Sequence, residues 1–156
     1  MKFLDESQYK EKCDRQFATI RDMANQILPY ARVEHIGSSA VGGLISKGDL
    51  DVFVGVPGDF FENSIKLLLN HGFVEKQDTH RSNELCMLVS TNDDIALQLV
   101  ANGSRYEFFL TFRDLLRESA ELRQEYNELK VSSKGLSQSA YQEKKSIFIN
   151  KALDIS

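Results

Sequence analysis

The chain has 156 residues, of which 42% are hydrophobic and 27% are charged, and its formal net charge at pH 7 is -4. This composition is ordinary for a globular protein, and the length predicts one domain that can bury a hydrophobic core. The negative net charge excludes a global field that attracts nucleic acid, so any polyanion would need a local basic patch.

Cysteine usage and the N-terminal residues predict a cytoplasmic location. Cys13 and Cys86 are far apart and show no metal-ligand spacing, which is typical of reduced thiols. The first fifteen residues are polar, unlike a signal peptide. The apolar runs are too short to cross a bilayer, so we expect no membrane partner.

The first predicted elements are a helix, a strand, a turn and a second strand. Residues 7–28 carry an apolar stripe at helical spacing, which predicts a packing helix that ends near Pro29. Residues 33–36 predict a short strand. A turn that begins with Gly37-Ser38-Ser39 leads into a short helical segment, and residues 49–56 predict the second strand.

Two aspartates on the second strand predict a metal site. Asp49 and Asp51 are two residues apart, so both carboxylates project from one strand face, while Leu50, Val52 and Val54 face the core. Carboxylates about 7 Å apart repel each other unless a cation joins them. Mg²⁺ prefers such oxygen ligands, commonly together with substrate phosphates. We therefore expect a divalent ion at this pair.

The glycine turn before the acidic strand predicts a phosphate contact. Gly37 lets the backbone approach a phosphate closely, and the helix start at Ser38 offers unpaired N–H groups. The order of strand, Gly-Ser turn, short helix and Asp-x-Asp strand resembles the signature of the nucleotidyltransferase fold. The alternative is a glycine-rich turn before a solvated strand face, with Asp49 serving as a turn residue.

The middle of the chain predicts one helix and a hairpin. Asp59 is a plausible N-cap for a helix that runs to His71 and is followed by Gly72. After an extended segment at 73–74, residues 78–83 predict a loop in which Arg81 is either solvated or reaches a phosphate. Residues 85–90 and 95–100 predict two strands joined by an Asn/Asp turn.

The strand at 95–100 lacks an acid that the fold resemblance leads us to expect. In the nucleotidyltransferase fold a third carboxylate usually comes from a strand beside the Asp-x-Asp strand. Here the one polar side chain is Gln98, which we place in the catalytic site. A neutral amide cannot remove a hydroxyl proton, so the catalytic base stays undefined.

The last third of the chain predicts three helices. Their predicted ranges are 105–117, 120–132 with Ser119 as N-cap, and 139–153 with a capping box that begins at Ser139. In the last helix the side chains predicted to pack inward are Tyr141, Ile147, Phe148, Ala152 and Leu153.

From about residue 30 onward, the sequence resembles the GrpB family, a group placed in the nucleotidyltransferase superfamily. The matching pieces are Val33-Glu34-His35-Ile36-Gly37-Ser38-Ser39-Ala40-Val41, Gly43-Leu44, Lys47, Leu50-Asp51-Val52, Asn102-Gly103-Ser104, Phe112-Arg113-Asp114-Leu115-Leu116-Arg117, Tyr126-Asn127-Glu128-Leu129-Lys130 and the 141–149 helix with Lys145. The resemblance implies an α/β (α+β) fold with a mixed β-sheet core, flanking helices and a C-terminal helical part. We expect one domain over 1–156, formed by an N-terminal helix (1–30), the sheet core (31–103) and the helical part (104–156).

The chain departs from the family pattern at four residues. Gly42 and Gly48 stand where the family commonly has proline. Asp49 stands where it commonly has an apolar residue, and this acid favours metal binding. Gln98 stands where histidine is frequent, which again leaves the base undefined.

The resemblance implies a metal-dependent nucleotidyltransferase that moves a nucleotidyl group from a nucleoside triphosphate to an unknown acceptor, with Mg²⁺ or Mn²⁺ as cofactor. Asp49 and Asp51 would hold the metal. The residues that would contact nucleotide or phosphate are Gly37, Ser38, Ser39, Lys47, Arg113, Lys130 and Lys145. For Arg113, Lys130 and Lys145 the alternative is ordinary surface charge or an ion pair with glutamates. We expect His35 to be a hydrogen-bonded structural residue rather than a base.

Two other functions stay open. The first is a nucleotide-binding or regulatory module that lost turnover with the third acid. The second is a protein-partner role for the helical half, for which the sequence offers no specific motif. We expect no general nucleic-acid binding.

Overall fold

The computed structural model describes residues 2–155 and has a mixed α/β architecture, as predicted. In chain order the elements are α1 Glu6–Ile27, β1 Arg32–Ile36, β2 Leu50–Val56, α2 Phe61–Leu69, β3 Phe73–Glu75, β4 Leu85–Ser90, β5 Ile95–Ala101, α3 Phe108–Glu118, α4 Ala120–Ser132 and α5 Gln138–Ile155. Short 3₁₀ helices span Ser38–Ala40, Gly58–Phe60 and Arg105–Glu107. Within residues 2–155, no helix has the length and apolar character that crossing a membrane requires.

The five strands form one mixed sheet in the order β1-β2-β5-β4-β3. Strands β2 and β5 are parallel, and the other neighbours are antiparallel. The register pairs Asp51 with Ala96 and Phe53 with Gln98. Because paired residues project from the same face, Asp51, Phe53 and Gln98 share one side of the sheet. This is the side that the sequence alternation predicts for them.

The other side of the sheet carries the main hydrophobic core, covered by α1 and α2. Its buried members include Leu50, Val52, Val54, Leu97, Leu99, Tyr9, Cys13, Phe61, Ile65 and Leu68. On the Asp51 side, Leu110 of α3 packs with Ile36, Phe53 and Val100. The helical part therefore lies on the same side of the sheet as the aspartates.

Two predicted caps are wrong because the chain enters the helices at different residues. Asp59 lies in a 3₁₀ helix, so α2 begins only after Phe60. The last helix begins at Gln138, where the hydroxyl of Ser137 accepts the Ala140 N–H at 3.1 Å. Ser137 therefore takes the capping contact predicted for Ser139. The predicted cap at Ser119 is confirmed, since its hydroxyl accepts the Leu122 N–H at 3.0 Å.

Ile147 is also placed wrongly by the sequence. It is 64% exposed, whereas Tyr141 and Ala152 of the same helix are buried. The inward-facing stripe of α5 runs from buried Tyr141 through half-buried Lys145 and Phe148 to buried Ala152, and Ile147 lies outside that stripe.

Candidate functional site

The glycine turn after β1 lies directly against the carboxylate of Asp51. Gly37 has φ +75° and ψ -175°, a region that residues other than glycine rarely adopt. A Cβ atom on Gly37 would lie 2.5 Å from Oδ2 and 3.0 Å from Cβ of Asp51. The Ser38–Ala40 3₁₀ helix begins here, and its first N–H groups have no acceptor within the helix. The turn therefore presents backbone donors beside a carboxylate.

The loop between this turn and the acidic pair is held from two sides. The Tyr9 hydroxyl of α1 donates to the Leu44 carbonyl at 2.6 Å. From α4, the amide of Asn127 donates to the Gly43 carbonyl at 2.9 Å and accepts the Ile45 N–H at 3.0 Å. These contacts fix the loop that leads to Asp49.

Asp49 and Asp51 interact electrostatically, as the Asp-x-Asp spacing predicts, although β2 begins only at Leu50. Burial raises the pKa of Asp51, and the charge of Asp49 raises it further. The charge of Lys145, a hydrogen bond from Gln98 and the charge of Lys47 oppose that rise in the pKa. The charges of lysines from distant parts of the chain therefore act on the acidic pair.

Lys130 of α4 links the helical part to the glycine turn. Its side chain is only 2% exposed. The ammonium donates to the hydroxyl of Ser38 and, at 2.6 Å, to the Ile45 carbonyl, and it lies 4.3 Å from the centre of the Tyr126 ring. The pKa of Lys130 is lowered to about 7, mainly by burial and also by the charges of Lys145 and Lys47, while the charges of Asp49 and Asp51 oppose this decrease.

Lys145 of α5 and Lys47 of the loop complete a cluster of three lysines beside the carboxylates. Tyr126, Asp51 and Tyr141 raise the pKa of Lys145 above its ordinary value, against the effect of burial. The ammonium of Lys47 lies 5.9 Å from the centre of the Tyr141 ring. The structure thus brings Lys47, Lys130 and Lys145 to the acidic pair.

Arg113, predicted with those lysines, is engaged elsewhere. Its Nη1 donates to Oε1 of Glu34 at 2.7 Å and to the His35 carbonyl at 3.1 Å, and its Nε donates to Asp114 at 3.0 Å. The structure favours the alternative for this residue, an ion pair that attaches α3 to β1, and does not bring it to Asp51.

Arg81 is also paired with acids. Its guanidinium contacts Glu62 at 3.0 Å and Glu75 at 2.9 Å. The two partners lie in α2 and β3, and because they engage the guanidinium they give no support to a phosphate contact.

The side chains of His35 and Ser39 hydrogen bond to each other next to the glycine turn. Nε2 of His35 hydrogen bonds with the Ser39 hydroxyl at 2.8 Å, and the ring stacks on Phe17 with centroids 5.1 Å apart. Burial lowers the pKa of His35 to about 4. His35 therefore has the structural role predicted for it, and the Ser39 hydroxyl is directed to the imidazole.

We expect His35 to make folding stability depend on pH below about 6.5. The pKa falls from 6.5 to about 4 on folding, so the unfolded chain binds the proton first as the pH drops. The unfolding free energy should then decrease towards pH 4, by up to about 1.4 kcal/mol per pH unit relative to a His35→Gln variant. Urea unfolding at several pH values measures this difference, and equal slopes for the two proteins would contradict it.

Gln98 lies at the carboxylate of Asp51, as its alternation on β5 predicts. It is 5% exposed, and its amide hydrogen bonds to Asp51. In the described part of the chain, Oε1 of Gln98 is one of the buried polar atoms without a hydrogen-bond partner. Asp93 and Asp94 are exposed in the turn before β5 and supply no third carboxylate.

The residues at this point fit a divalent ion that shares its shell with a ligand. Asp49 and Asp51 supply carboxylate oxygens, and Gln98 supplies a buried oxygen that lacks a partner. Residues 2–155 contain no group of three or more His, Cys, Asp and Glu side chains that would hold a metal by themselves. Mg²⁺ commonly uses one or two carboxylates and takes its other ligands from water and substrate phosphates.

Sequence reasoning predicted that Tyr141 packs inward, but it did not place Tyr126 or Tyr141 beside the site lysines. Tyr126 and Tyr141 are both 2% exposed. Each precedes a site lysine by four residues, Lys130 on α4 and Lys145 on α5. On a helix this spacing brings two side chains together, and the repeated Tyr-x-x-x-Lys pattern is the signal that could have identified them.

The chain is similar to known proteins in sequence and in fold. The family model described as "GrpB protein" matches residues 6–154. A UPF0157 protein of Vibrio cholerae is 48% identical over 154 residues, covering 98% of this chain and 82% of the relative. The crystal structure of the conserved protein GrpB from Enterococcus faecalis has a TM-score of 0.77 at 22% identity, covering 94% of this chain and 95% of that one.

The fold also resembles, more distantly, that of a nucleotidyltransferase. Cid1, described with RNA terminal uridylyl transferase activity, has a TM-score of 0.61 at 16% identity, over 85% of this chain but only 42% of Cid1. At this identity the likeness concerns the fold alone, and it agrees with the predicted nucleotidyltransferase-like architecture. The family match over residues 6–154 and the identity to the Vibrio relative identify the sequence more closely: this chain belongs to the GrpB protein family.

Proposed function

We propose that this chain is a metal-dependent nucleotidyltransferase that binds a nucleoside triphosphate with Mg²⁺ or Mn²⁺ and transfers its nucleotidyl group. One observation supports this most strongly. The carboxylate of Asp51 lies against the Gly37 turn, and the adjacent Ser38 accepts a hydrogen bond from Lys130. Metal-binding oxygens, backbone donors and a cation therefore meet at one point, which suits a metal–triphosphate complex.

The lysines would hold the phosphates. Lys47, Lys130 and Lys145 approach from a loop and two helices, so they can contact different oxygens of one polyphosphate chain. Lys130 now donates to Ser38 and the Ile45 carbonyl, and a phosphate at the turn would add an acceptor of full negative charge. An anionic ligand would also offset the mutual repulsion of the three ammonium groups.

The transfer would depend on position and charge. An acceptor oxygen would form a bond to the α-phosphorus while the bond to the bridging oxygen breaks, and pyrophosphate would leave with that electron pair. A bound divalent ion would neutralise charge on the phosphates. The turn and the lysines would orient the triphosphate. Gln98 cannot take the proton of the acceptor, which would pass to solvent.

The second candidate is a nucleotide-binding or regulatory module without turnover, and Gln98 favours it. Strand β5 carries an amide in place of an acid, so the site has no carboxylate there to activate a hydroxyl. The Cid1 structures with MgGTP or MgATP support a metal–nucleotide ligand for this fold and leave the acceptor of this chain open.

Pyrophosphate release from labelled nucleoside triphosphates separates the two candidates. The wild-type protein, incubated with Mg²⁺ or Mn²⁺ and candidate acceptors, should release pyrophosphate, and an Asp49→Ala/Asp51→Ala variant should not. An Asp22→Ala/Asp59→Ala variant is the control, because it removes two exposed charges in α1 and in the 3₁₀ helix that follows β2. Saturable nucleotide binding without release would support the module, and no binding of any nucleotide would overturn both candidates.

A further inference from the structure

We propose that Lys130 is a positioning residue: its ammonium sets the direction of the Ser38 hydroxyl, so that the O–H of Ser38 donates to a phosphate of the bound triphosphate. This inference rests on the proposed function, because it needs a phosphate at the Gly37 turn. It concerns how the turn binds that phosphate and does not depend on whether transfer or binding alone follows.

The hydrogen bond between Lys130 and Ser38 can run in one direction only. A charged ammonium has three N–H donors and no lone pair, so the oxygen of Ser38 must accept. The hydroxyl can also donate its own proton, but Lys130 cannot receive it. Among the described residues, the Ser38 hydroxyl has Lys130 as its hydrogen-bond partner and no acceptor for its own proton. The O–H is therefore available to an acceptor that a ligand brings.

The ammonium of Lys130 is held in place by contacts that do not involve Ser38. It donates to the Ile45 carbonyl at 2.6 Å and lies 4.3 Å from the centre of the Tyr126 ring. The N–H of the same Ile45 donates to the side chain of Asn127 at 3.0 Å, so α4 holds both polar backbone groups of this residue. The donor to Ser38 therefore has a fixed position relative to the loop that follows the turn.

Burial keeps water from replacing Lys130 as the donor. Its side chain is 2% exposed, and Tyr126, whose ring faces the ammonium, belongs to a buried apolar cluster with Val41 and Leu44. Ser38, by contrast, is only half-buried. A ligand that reaches the turn therefore meets a hydroxyl whose orientation is set from the protein interior.

A hydroxyl with a preset direction suits a phosphate oxygen. The Ser38–Ala40 3₁₀ helix begins at the turn with backbone N–H groups that lack a helical acceptor, and the Ser38 O–H would add a side-chain donor beside them. A hydrogen bond to an ionised acceptor is stronger than one between neutral groups, and an oriented donor loses less freedom when the ligand binds. The phosphate charge would in turn favour the ammonium form of Lys130, because a nearby anion stabilises it.

A double-mutant cycle tests this role. Equilibrium dialysis gives the dissociation constants of the wild type, Ser38→Ala, Lys130→Met and the double variant, with Mg²⁺ and whichever of ATP, GTP, CTP and UTP the wild type binds most tightly. We expect Ser38→Ala to weaken binding about tenfold. Lys130→Met should weaken binding by a factor at least about fivefold larger when Ser38 is present than in the Ser38→Ala background.

The sign of this coupling separates the alternatives. If the ammonium attracts the phosphates by its charge alone, or only stabilises the fold, Lys130→Met should weaken binding by the same factor in both backgrounds. If Ser38 merely occupies an N–H that would otherwise reach the phosphate, the factor should be larger in the Ser38→Ala background. Either result would overturn the inference and leave the proposed function standing. Failure of the wild type to bind any of the four nucleotides would overturn the proposed function, and the inference with it.

Further variants separate the hydroxyl from general effects. Threonine keeps the hydroxyl, so Ser38→Thr should bind nucleotide within about threefold of the wild type, and equal losses in the folded Ser38→Thr and Ser38→Ala variants would overturn the inference. Lys66→Met is the control for a lost positive charge, because this exposed lysine lies on α2, on the other side of the sheet. It should bind nucleotide as the wild type does.

A crystal structure of the wild type with Mg²⁺ and a non-hydrolysable nucleoside triphosphate decides the question even if Lys130→Met does not fold. The Ser38 oxygen should lie within about 3 Å of a phosphate oxygen while it still accepts from Lys130. An ammonium that has left Ser38 for the phosphate, or a Ser38 hydroxyl directed away from the phosphate, would overturn the inference.

Discussion

Replacing Asp51 with asparagine is expected to weaken Mg²⁺-dependent nucleotide binding by at least about 100-fold without lowering the stability of the fold. Asparagine keeps the shape of the side chain but removes the charge that would hold the ion. Burial and the charge of Asp49 raise the pKa of Asp51, so its ionised form is unfavourable for folding at neutral pH. Asparagine removes that unfavourable charge, so the melting temperature should stay equal or rise.

The opposite responses of binding and stability distinguish a ligand-binding carboxylate from a structural one. Equilibrium dialysis of a labelled nucleotide with Mg²⁺ measures the first response, and thermal unfolding followed by circular dichroism measures the second. Asp59→Asn is the matched control, because the side chain is exposed beyond the opposite end of β2 from Asp51 and its replacement should change neither quantity. Retained nucleotide binding by Asp51→Asn, or a large drop in its melting temperature, would contradict the assignment.

Gly37→Ala is expected to destabilise the fold by about 2–4 kcal/mol and to abolish nucleotide binding. The alanine Cβ would lie 2.5 Å from Oδ2 of Asp51 and 3.0 Å from Cβ of the same residue. Rotation of the Asp51 side chain cannot remove the second contact, because its Cβ is fixed by the strand. The dihedral angles of Gly37 add backbone strain to this clash.

Two comparisons separate these contributions. Gly72 also has positive φ, but a Cβ there would meet nothing within 4 Å, so Gly72→Ala should cost only about 1 kcal/mol. In an Asp51→Ala background the carboxylate is absent, and the penalty of Gly37→Ala should shrink. Urea unfolding measures the unfolding free energy of the wild type, of the three single variants Gly37→Ala, Gly72→Ala and Asp51→Ala, and of the double variant. Similar losses for Gly37→Ala and Gly72→Ala would show that the turn does not press on Asp51.

The acidic pair and the glycine turn could be predicted because both depend on local sequence. Alternation along one strand places Asp49 and Asp51 on one face, and alternation along β5 places Gln98 on the face opposite to Leu97 and Leu99. The register that pairs Gln98 with Phe53 then puts Gln98 on the Asp51 side of the sheet. A glycine in the turn at position 37 indicates a backbone conformation that other residues rarely adopt. The local sequence pattern was therefore enough to predict the acidic pair, the glycine turn beside it and the lack of an acidic residue on β5.

The surroundings of that centre depend on contacts between distant residues, which no local pattern reveals. Lys130 looks like a helix-surface charge in the sequence, but it is buried against Ser38, 92 positions away. Arg113 looks equally suited to bind an anion, and Glu34, 79 positions away, takes its guanidinium instead. Whether a lysine or arginine is available to a phosphate was decided by which acid or carbonyl the tertiary fold places beside it.

The most direct test of the central claim is a crystal structure of the protein soaked with Mn²⁺ and a non-hydrolysable nucleoside triphosphate, with the anomalous signal used to locate the ion. We predict a single Mn²⁺ peak between the carboxylates of Asp49 and Asp51, with a phosphate group at the backbone of Gly37 and Ser38. Nucleotide bound away from these residues, or Mn²⁺ found elsewhere on the chain while the acidic pair contacts only lysines, would contradict the account.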